Sequence, residues 1–298
     1  MKLDQFYTKK AIAKRCYEVM LLKLSQLGVR NPFFVEPSAG SGSFFNLLNP
    51  KKRLGIDIEP KNKGIKKQDF LTWQYNDRRK NNVVVIGNPP FGKRAKLAIK
   101  FFNKSAEFAH TIGFIVPVQF RKYSVHSKIN SNYKLIAERL LPKNSFVTDG
   151  GDNFDVNCVF QIWTKKDTTF QNKRILSSPP IKHPNFKIYQ YNNTKKALKV
   201  FQYDFDFAVP RQGYEDYERR EFNALNLEKN KQWALFKARD EETKRNLIKL
   251  DFAKLAQKNT VVPGFGKADV VEEYIRTYEN YAWHFRRHNK TQSRLFAS

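Results

Sequence analysis

The chain has 298 residues, 41% hydrophobic and 28% charged, which is enough apolar material for one large or two medium cores. Its 55 Lys and Arg against 28 Asp and Glu leave a net charge of +27. Such an excess repels itself in a compact state and points to a polyanionic partner, nucleic acid or a membrane surface. The chain opens on the charged Met1-Lys2-Leu3-Asp4 and has no apolar run near the ~18 residues that a membrane span needs, so nucleic acid is the expected partner.

Two cysteines, Cys16 and Cys158, cannot build a disulfide framework or a zinc cluster. His284 and His288 share an i, i+4 spacing, but Arg286 and Arg287 lie between them and no carboxylate is near, so a solvated basic helix end is expected there. These features predict no structural metal and a reducing, intracellular setting such as the cytoplasm or nucleoid.

In chain order, Asp4-Gln5-Phe6-Tyr7-Thr8 leads into an apolar stripe at Ala11, Ile12, Cys16, Val19, Met20 and Leu24 that ends near Gly28. That spacing predicts an amphipathic helix with Thr8 as its N-cap. Phe33-Phe34-Val35 reads as a strand, and Glu36-Pro37-Ser38-Ala39-Gly40-Ser41-Gly42-Ser43-Phe44 as a glycine-rich turn entering a second helix. The turn has G-x-G without a third glycine and no following G-K-[ST], so neither a dinucleotide fingerprint nor a P-loop is present. Glu36 at the strand end disfavours a pyrophosphate and favours a cation or hydroxyl donor.

Leu54-Gly55-Ile56-Asp57-Ile58 is the next strand, and its terminal Asp57 is placed to accept from ribose hydroxyls. Gln68-Asp69-Phe70-Leu71 then offers a carboxylate for an adenine amino group beside an aromatic to pack on its ring. Val83-Val84-Val85-Ile86-Gly87 is a β-branched run that predicts a fully buried parallel strand, and Asn88-Pro89-Pro90-Phe91 follows at once. Two prolines forbid both strand continuation and helix entry, so an amide, a rigid carbonyl and an aromatic face are held at the sheet edge where ligands bind in open α/β folds. A chance rigid turn is the bland alternative.

Helical spacing from Ala95 to Phe108, a strand at Ile112–Val116, and helical spacing from Asn132 to Leu141 come next. Phe154–Trp163 alternates apolar with polar residues, as a half-exposed antiparallel strand does. Residues 1–165 therefore predict an α/β domain, a Rossmann-like, doubly wound, mainly parallel sheet with an antiparallel last strand. Residues 166–298 are expected to form a smaller, basic α+β domain, with Ser177-Ser178-Pro179-Pro180 as a linker or crossover. In it, aromatics and bases interleave at Phe186–Tyr191, a strand is expected at Asp204–Val209, a loop at Pro210-Arg211-Gln212-Gly213-Tyr214, and helices near 240–258 and 267–279. Arg211 and Gln212 are candidates for reading guanine and adenine; a phosphate contact or internal packing is the alternative.

The order of these motifs resembles that of the γ-type N6-adenine DNA methyltransferases. The resemblance spans roughly residues 4–165; the proline usual soon after the first motif's threonine is replaced by Lys9-Lys10. It implies a site-specific enzyme that moves a methyl group from S-adenosylmethionine to a flipped adenine of double-stranded DNA, often within a restriction-modification system. Cofactor contacts would come from Tyr7, Thr8, Glu36, Pro37, Ser38, Ala39, Gly40, Gly42, Asp57, Ile58, Asp69 and Phe70. Asn88, Pro89, Pro90 and Phe91 would act on the target amine, with Phe154 as a second aromatic against the flipped base. An RNA adenine methyltransferase is the main rival, because N-P-P-F followed by a glycine, here Gly92, occurs in rRNA-modifying relatives too. A non-catalytic nucleic-acid-binding subunit is the second alternative. The chain is expected to act alone as a monomer or with a partner subunit.

Overall fold

The computed structural model describes residues 6–77, 82–165, 169–213, 216–257 and 262–279. Asp4, Gln5, Tyr214 and the His284–His288 pair lie outside these residues. The chain divides into two compact units, 1–178 and 179–298. The division falls within the Ser-Ser-Pro-Pro stretch rather than after Lys165, and Arg174 is the reason. Its guanidinium donates to the carbonyls of His126, Ile129, Asn130 and Tyr133, which binds the segment before Ser178 to the first unit. Arg174→Ala strands these carbonyls and is expected to cost about 3 kcal/mol or more, read as a lower thermal midpoint of the first unit.

The first unit opens with β1 (Tyr7–Thr8) and α1 (Lys10–Gln26), followed by β2 (Phe33–Glu36), β3 (Arg53–Asp57), β4 (Ile65–Lys67), β5 (Val83–Gly87), α2 (Lys96–Ser105), β6 (Thr111–Pro117), α3 (Tyr123–His126), β7 (Lys134–Leu140), β8 (Phe146–Val147), β9 (Asn153–Phe154) and β10 (Cys158–Thr164). Seven of these strands form one sheet in the order β4-β3-β2-β5-β6-β10-β7. Every pairing from β4 to β6 is parallel, while β10 runs antiparallel to both its neighbours. β5 is buried along its whole length, as its unbroken apolar run requires. Val83 and Val85 pack into one core with Ala98, Phe102 and Trp163, whereas Val84 and Ile86 pack into another with Ile12, Cys16, Met20 and Phe160. Helices thus cover both faces, and the sheet is doubly wound. Both cysteines are free and buried, and burial pushes the Cys16 thiol up to about 12.

Four expectations are corrected. Residues 132–141 are not a helix: Lys134–Leu140 forms edge strand β7, although Leu, Ala, Glu, Arg and Lys favour helix. Leu135 packs into one core and Ile136 into the other, an alternation that only the two-faced sheet rewards. No α-helix follows the glycine turn; single 3₁₀ turns at Phe45–Leu47 and Pro50–Lys52 carry the chain to β3. Thr8 is not the cap of α1, because it belongs to β1, and Lys9 holds the N-cap position without a side-chain bond to the helix amides. Finally, the strand expected at 154–163 is divided: Phe154 ends β9 in another sheet, and Cys158–Thr164 forms β10, which is buried throughout rather than half-exposed. Its polar Gln161 is accommodated by donating to Glu138 Oε2 (2.7 Å) and accepting from the Trp163 indole (3.1 Å).

β1, β8 and β9 make a separate small sheet, with Thr8 opposite Phe146 and Phe146 opposite Phe154. The second unit contains β11 (Phe186–Tyr191), β12 (Phe207–Gln212), β13 (Gln232–Ala238), α4 (Glu241–Ile248), α5 (Phe252–Ala256) and α6 (Lys267–Tyr278). Its sheet is antiparallel, ordered β11-β13-β12, with an apolar cluster on each face. Among the described residues, no helix is long and apolar enough to cross a membrane.

Candidate active site

The sheet changes direction between β2 and β5. From β2 the chain moves outward to β3 and β4, then returns to β5 on the other side of β2. Ligands in open α/β sheets bind at the strands' carboxyl ends beside such a switch point. Pairing of Phe33 with Val83 and of Val35 with Val85 sets the ends of β2 and β5 side by side. Glu36 and Asn88, far apart in sequence, are thereby neighbours, with Asp57 one strand further out at the end of β3.

Hydrogen bonds tie the loops at this edge together. Ser38 Oγ donates to the Asn88 carbonyl (2.9 Å), and Ser43 Oγ donates to the Thr8 carbonyl (2.6 Å). The Asp57 carboxylate accepts from the Gly40 amide at one oxygen (2.7 Å) and from the Glu59 amide at the other (2.8 Å). Asp57 therefore braces the glycine turn from the next strand, and each oxygen retains lone-pair capacity for a further donor. Gly40 and Gly42 both have positive φ, +46° and +86°. A Cβ on Gly40 would stand 3.0 Å from the Tyr7 ring, and one on Gly42 would stand 2.5 Å from Asn62 Nδ2, so glycine is required twice over.

The Asn-Pro-Pro-Phe segment leaves β5 as the sequence predicts, with Pro89 buried and Asn88, Pro90 and Phe91 half-buried. The Phe91 carbonyl accepts from the amides of Leu97 and Ala98, which staples the turn onto the start of α2. Between them Arg94 and Ala95 adopt left-handed backbone, φ 55° and 58°, strain of a kind that clusters at functional sites.

Buried oxygens without partners mark what the cleft can bind. Among the described residues, Thr8 Oγ1, Glu36 Oε2, Gln68 Oε1 and Asn88 Oδ1 are buried and have no hydrogen-bond partner. An unsatisfied buried polar atom costs about 1–3 kcal/mol, so these four, on β1, at the end of β2, just after β4 and just after β5, call for donors from a ligand. Glu36 is 2% exposed, and burial, reinforced by the Asp57 charge, raises its carboxyl well above the usual range despite a bond from the Phe45 amide. The shift favours the neutral carboxyl in the ligand-free protein, and a cation at Oε2 would favour the ionised one. Ligand binding is accordingly expected to release a proton, measurable by calorimetry in buffers of different ionisation enthalpy, and Glu36→Gln is expected to abolish that release. The raised carboxyl also means that stability is present at low pH and lost as pH rises toward the folded-state value. Glu36→Gln should therefore stabilise the ligand-free protein more at alkaline than at acidic pH.

The other sequence-derived candidates divide. Pro37, Ser38, Ala39, Gly40 and Gly42 form the braced turn, Tyr7 lies against it, and Ile58 is 53% exposed beside Asp57. Asp69 accepts from the Leu71 amide (2.9 Å). Phe70, by contrast, is 2% exposed among Trp73, Phe101 and Phe108, so it is a core residue that anchors the turn and not an open platform. Phe154 ends β9 of the small sheet, stacked on Phe6. Arg211 and Gln212 are not in a loop: they end β12, where the register slips between Pro210 and Gln212. Arg211 donates to the Phe265 carbonyl (3.1 Å), to Gln232 Oε1 (2.8 Å) and to Asn192 Oδ1, all within its own unit. Internal packing is the alternative that this geometry favours. Ser43, Gln68 and Phe6 are the residues that the site-level reading missed. Gln68 carried a signal, its place next to Asp69, whereas those of Ser43 and Phe6 exist only in three dimensions.

Residues 52–177 match the family model of the EDM2 methyltransferase-like domain. The protein ENHANCED DOWNY MILDEW 2 of Arabidopsis thaliana is 29% identical over 164 residues, which are 47% of this chain and 12% of that protein. The chain thus spans about an eighth of the curated relative it matches. Among solved structures, the type IIL restriction-modification enzyme MmeI in complex with DNA is similar at a TM-score of 0.52 and 11% identity, over 88% of this chain and 66% of that one. The 23S rRNA methyltransferase ErmE is a fainter likeness, with a TM-score of 0.36 and 14% identity over 54% of this chain and 69% of that one. At these identities the structural likenesses concern the fold alone. Residues 52–177 are therefore methyltransferase-like in sequence, and they lie in the doubly wound α/β unit described above.

Proposed function

We propose that this chain is an S-adenosylmethionine-dependent adenine-N6 methyltransferase of DNA, with catalysis in the first unit and target binding in the second. The observation that carries this reading is the buried, unpartnered Asn88 Oδ1 on a turn rigidified by two prolines. The residues present fit the cofactor. The free Glu36 oxygen suits its ammonium group, Asp57 its ribose hydroxyls, and Asp69 with Gln68 its adenine amino group. When bound, the cofactor supplies an electrophilic methyl group on a sulfonium sulfur.

An exocyclic adenine amine is a poor nucleophile because its lone pair is conjugated into the ring. Asn88 Oδ1 and the Pro89 carbonyl accept its two N–H bonds and draw the nitrogen toward tetrahedral geometry, which frees that lone pair. Phe91 and Phe154 hold the flipped base by its faces. The bound cofactor would supply the methyl group to this nitrogen, its sulfonium keeping the bonding pair as a thioether, and the surplus N–H proton would leave to solvent. Catalysis comes from positioning and preorganised acceptors.

A charge of +27 suits DNA and RNA equally, so the RNA alternative stands beside DNA until substrates are compared. The test incubates the purified chain with methyl-labelled S-adenosylmethionine and separate DNA and RNA pools, then identifies the labelled nucleoside. N6-methyladenine from the DNA pool supports the proposal, and label confined to RNA overturns the choice of substrate. Cofactor binding with no label in either pool points to the non-catalytic subunit.

A further inference from the structure

Phe6 and Phe154 stack with ring centroids 3.7 Å apart and planes within 6°. Aromatic side-chain pairs prefer offset or edge-to-face arrangements with centroids about 4.5–7 Å apart. This pair is closer and flatter, and so resembles a nucleobase lying on an aromatic platform. The same residue reaches the other half of the pocket, because Asn88 Nδ2 donates to the Phe6 carbonyl at 3.4 Å, near the limit of a hydrogen bond. Phe6 therefore bridges the two side chains on which a flipped base would depend, while leaving Asn88 Oδ1 unsatisfied.

The chain on its C-terminal side is anchored. Tyr7 and Thr8 pair with Val147 and Phe146, the Lys9 amide donates to the Ser145 carbonyl (3.1 Å), and Lys9 Nζ donates to Asn153 Oδ1 (2.7 Å). Phe6 is the residue immediately before this pinned stretch. Rotation about its own backbone moves the ring without breaking any of these bonds.

We propose that Phe6 belongs to the target-base pocket, where its ring holds on Phe154 the place that the flipped adenine takes. The inference rests on the methyltransferase reading for the identity of the base, though not for the displacement itself. Phe6 competes with the base for one aromatic face, so the protein presents a filled pocket until a base displaces the ring.

The test places a reporter in the stack. In the full chain carrying Phe154→Trp, with S-adenosylhomocysteine saturating the cofactor cleft, Trp fluorescence is titrated with a single-stranded oligodeoxyadenylate, with and without Phe6→Ala. Base stacking quenches the indole, and removal of Phe6 is expected to lower the half-quenching concentration by about three- to tenfold, the worth of one aromatic stack. In a chain with wild-type Phe154, Phe6→Ala is expected to lower KM for DNA by a similar factor. Where Phe6→Ala lowers the thermal midpoint, Phe6→Leu keeps apolar volume without a flat face and takes its place. An unchanged or higher half-quenching concentration, or no quenching in either protein, overturns the proposal. Phe6-dependent quenching in a protein that transfers no methyl group leaves the pocket standing and overturns the enzymatic reading alone.

Discussion

Asn88→Ala is expected to lower methyl transfer by about 10²–10³-fold, the cost of losing one preorganised acceptor, with cofactor affinity unchanged. The separation follows from where the side chain sits. Among the described residues its Oδ1 has no partner and its Nδ2 makes the 3.4 Å contact to Phe6, so truncation removes little that holds the fold. The bond that joins this turn to the glycine turn runs through the Asn88 backbone carbonyl and survives in alanine. Single-turnover rates with saturating cofactor, alongside calorimetric cofactor binding, measure both halves. A variant that kept most of the rate would remove Asn88 from amine activation. One that lost cofactor binding in proportion would make its role structural.

Asp57→Ala has the opposite signature: cofactor affinity falls first, and by more than a lost ribose contact alone would cause. The carboxylate also accepts from the Gly40 and Glu59 amides, so alanine leaves two backbone donors unpaired and frees a turn that Gly40 and Gly42 hold in left-handed conformations. Each hydrogen bond to a charged group contributes about 1.5–3 kcal/mol, and loss of one with its preorganisation weakens binding by about 10–100-fold. Asp57→Asn is expected to fall between, since an amide accepts at one oxygen only. Calorimetry with S-adenosylhomocysteine reads the series, and equal affinity in all three proteins would exclude Asp57 from the cofactor site.

The most legible parts of the sequence were those where local chemistry and tertiary demand agree. The apolar run at Val83–Ile86 could only be a strand buried on both faces, and two successive prolines could only end it. The glycines of the 36–42 turn, with acids at the ends of β2 and β3, likewise announced a cleft. Composition predicted the second unit's α+β character and the helices near 240–258 and 267–279, while it placed the end of the first unit too early, before the reach of Arg174.

The misreadings share a different cause. Lys134–Leu140 has helix-favouring residues and becomes a strand because two cores on opposite sheet faces reward its alternation. The polar positions of 154–163 suggested an exposed face, yet Gln161 is satisfied internally by Glu138 and Trp163. Arg211 was expected in a loop, with base reading and internal packing both open, but it ends β12 beside a register slip and is bonded inside its own unit. Local preference is worth tenths of a kcal/mol per residue, less than burial of one large side chain, so packing prevails wherever the two conflict. By itself the sequence determined a two-faced parallel sheet, a glycine turn, strand-end acids and a rigid Asn-Pro-Pro-Phe edge. Only the tertiary structure decided that Glu36 and Asn88 are neighbours, that Thr8, Glu36, Gln68 and Asn88 hold unpartnered oxygens, and that Phe6 covers Phe154. Those relations depend on strand order and long-range pairing, which no local pattern encodes.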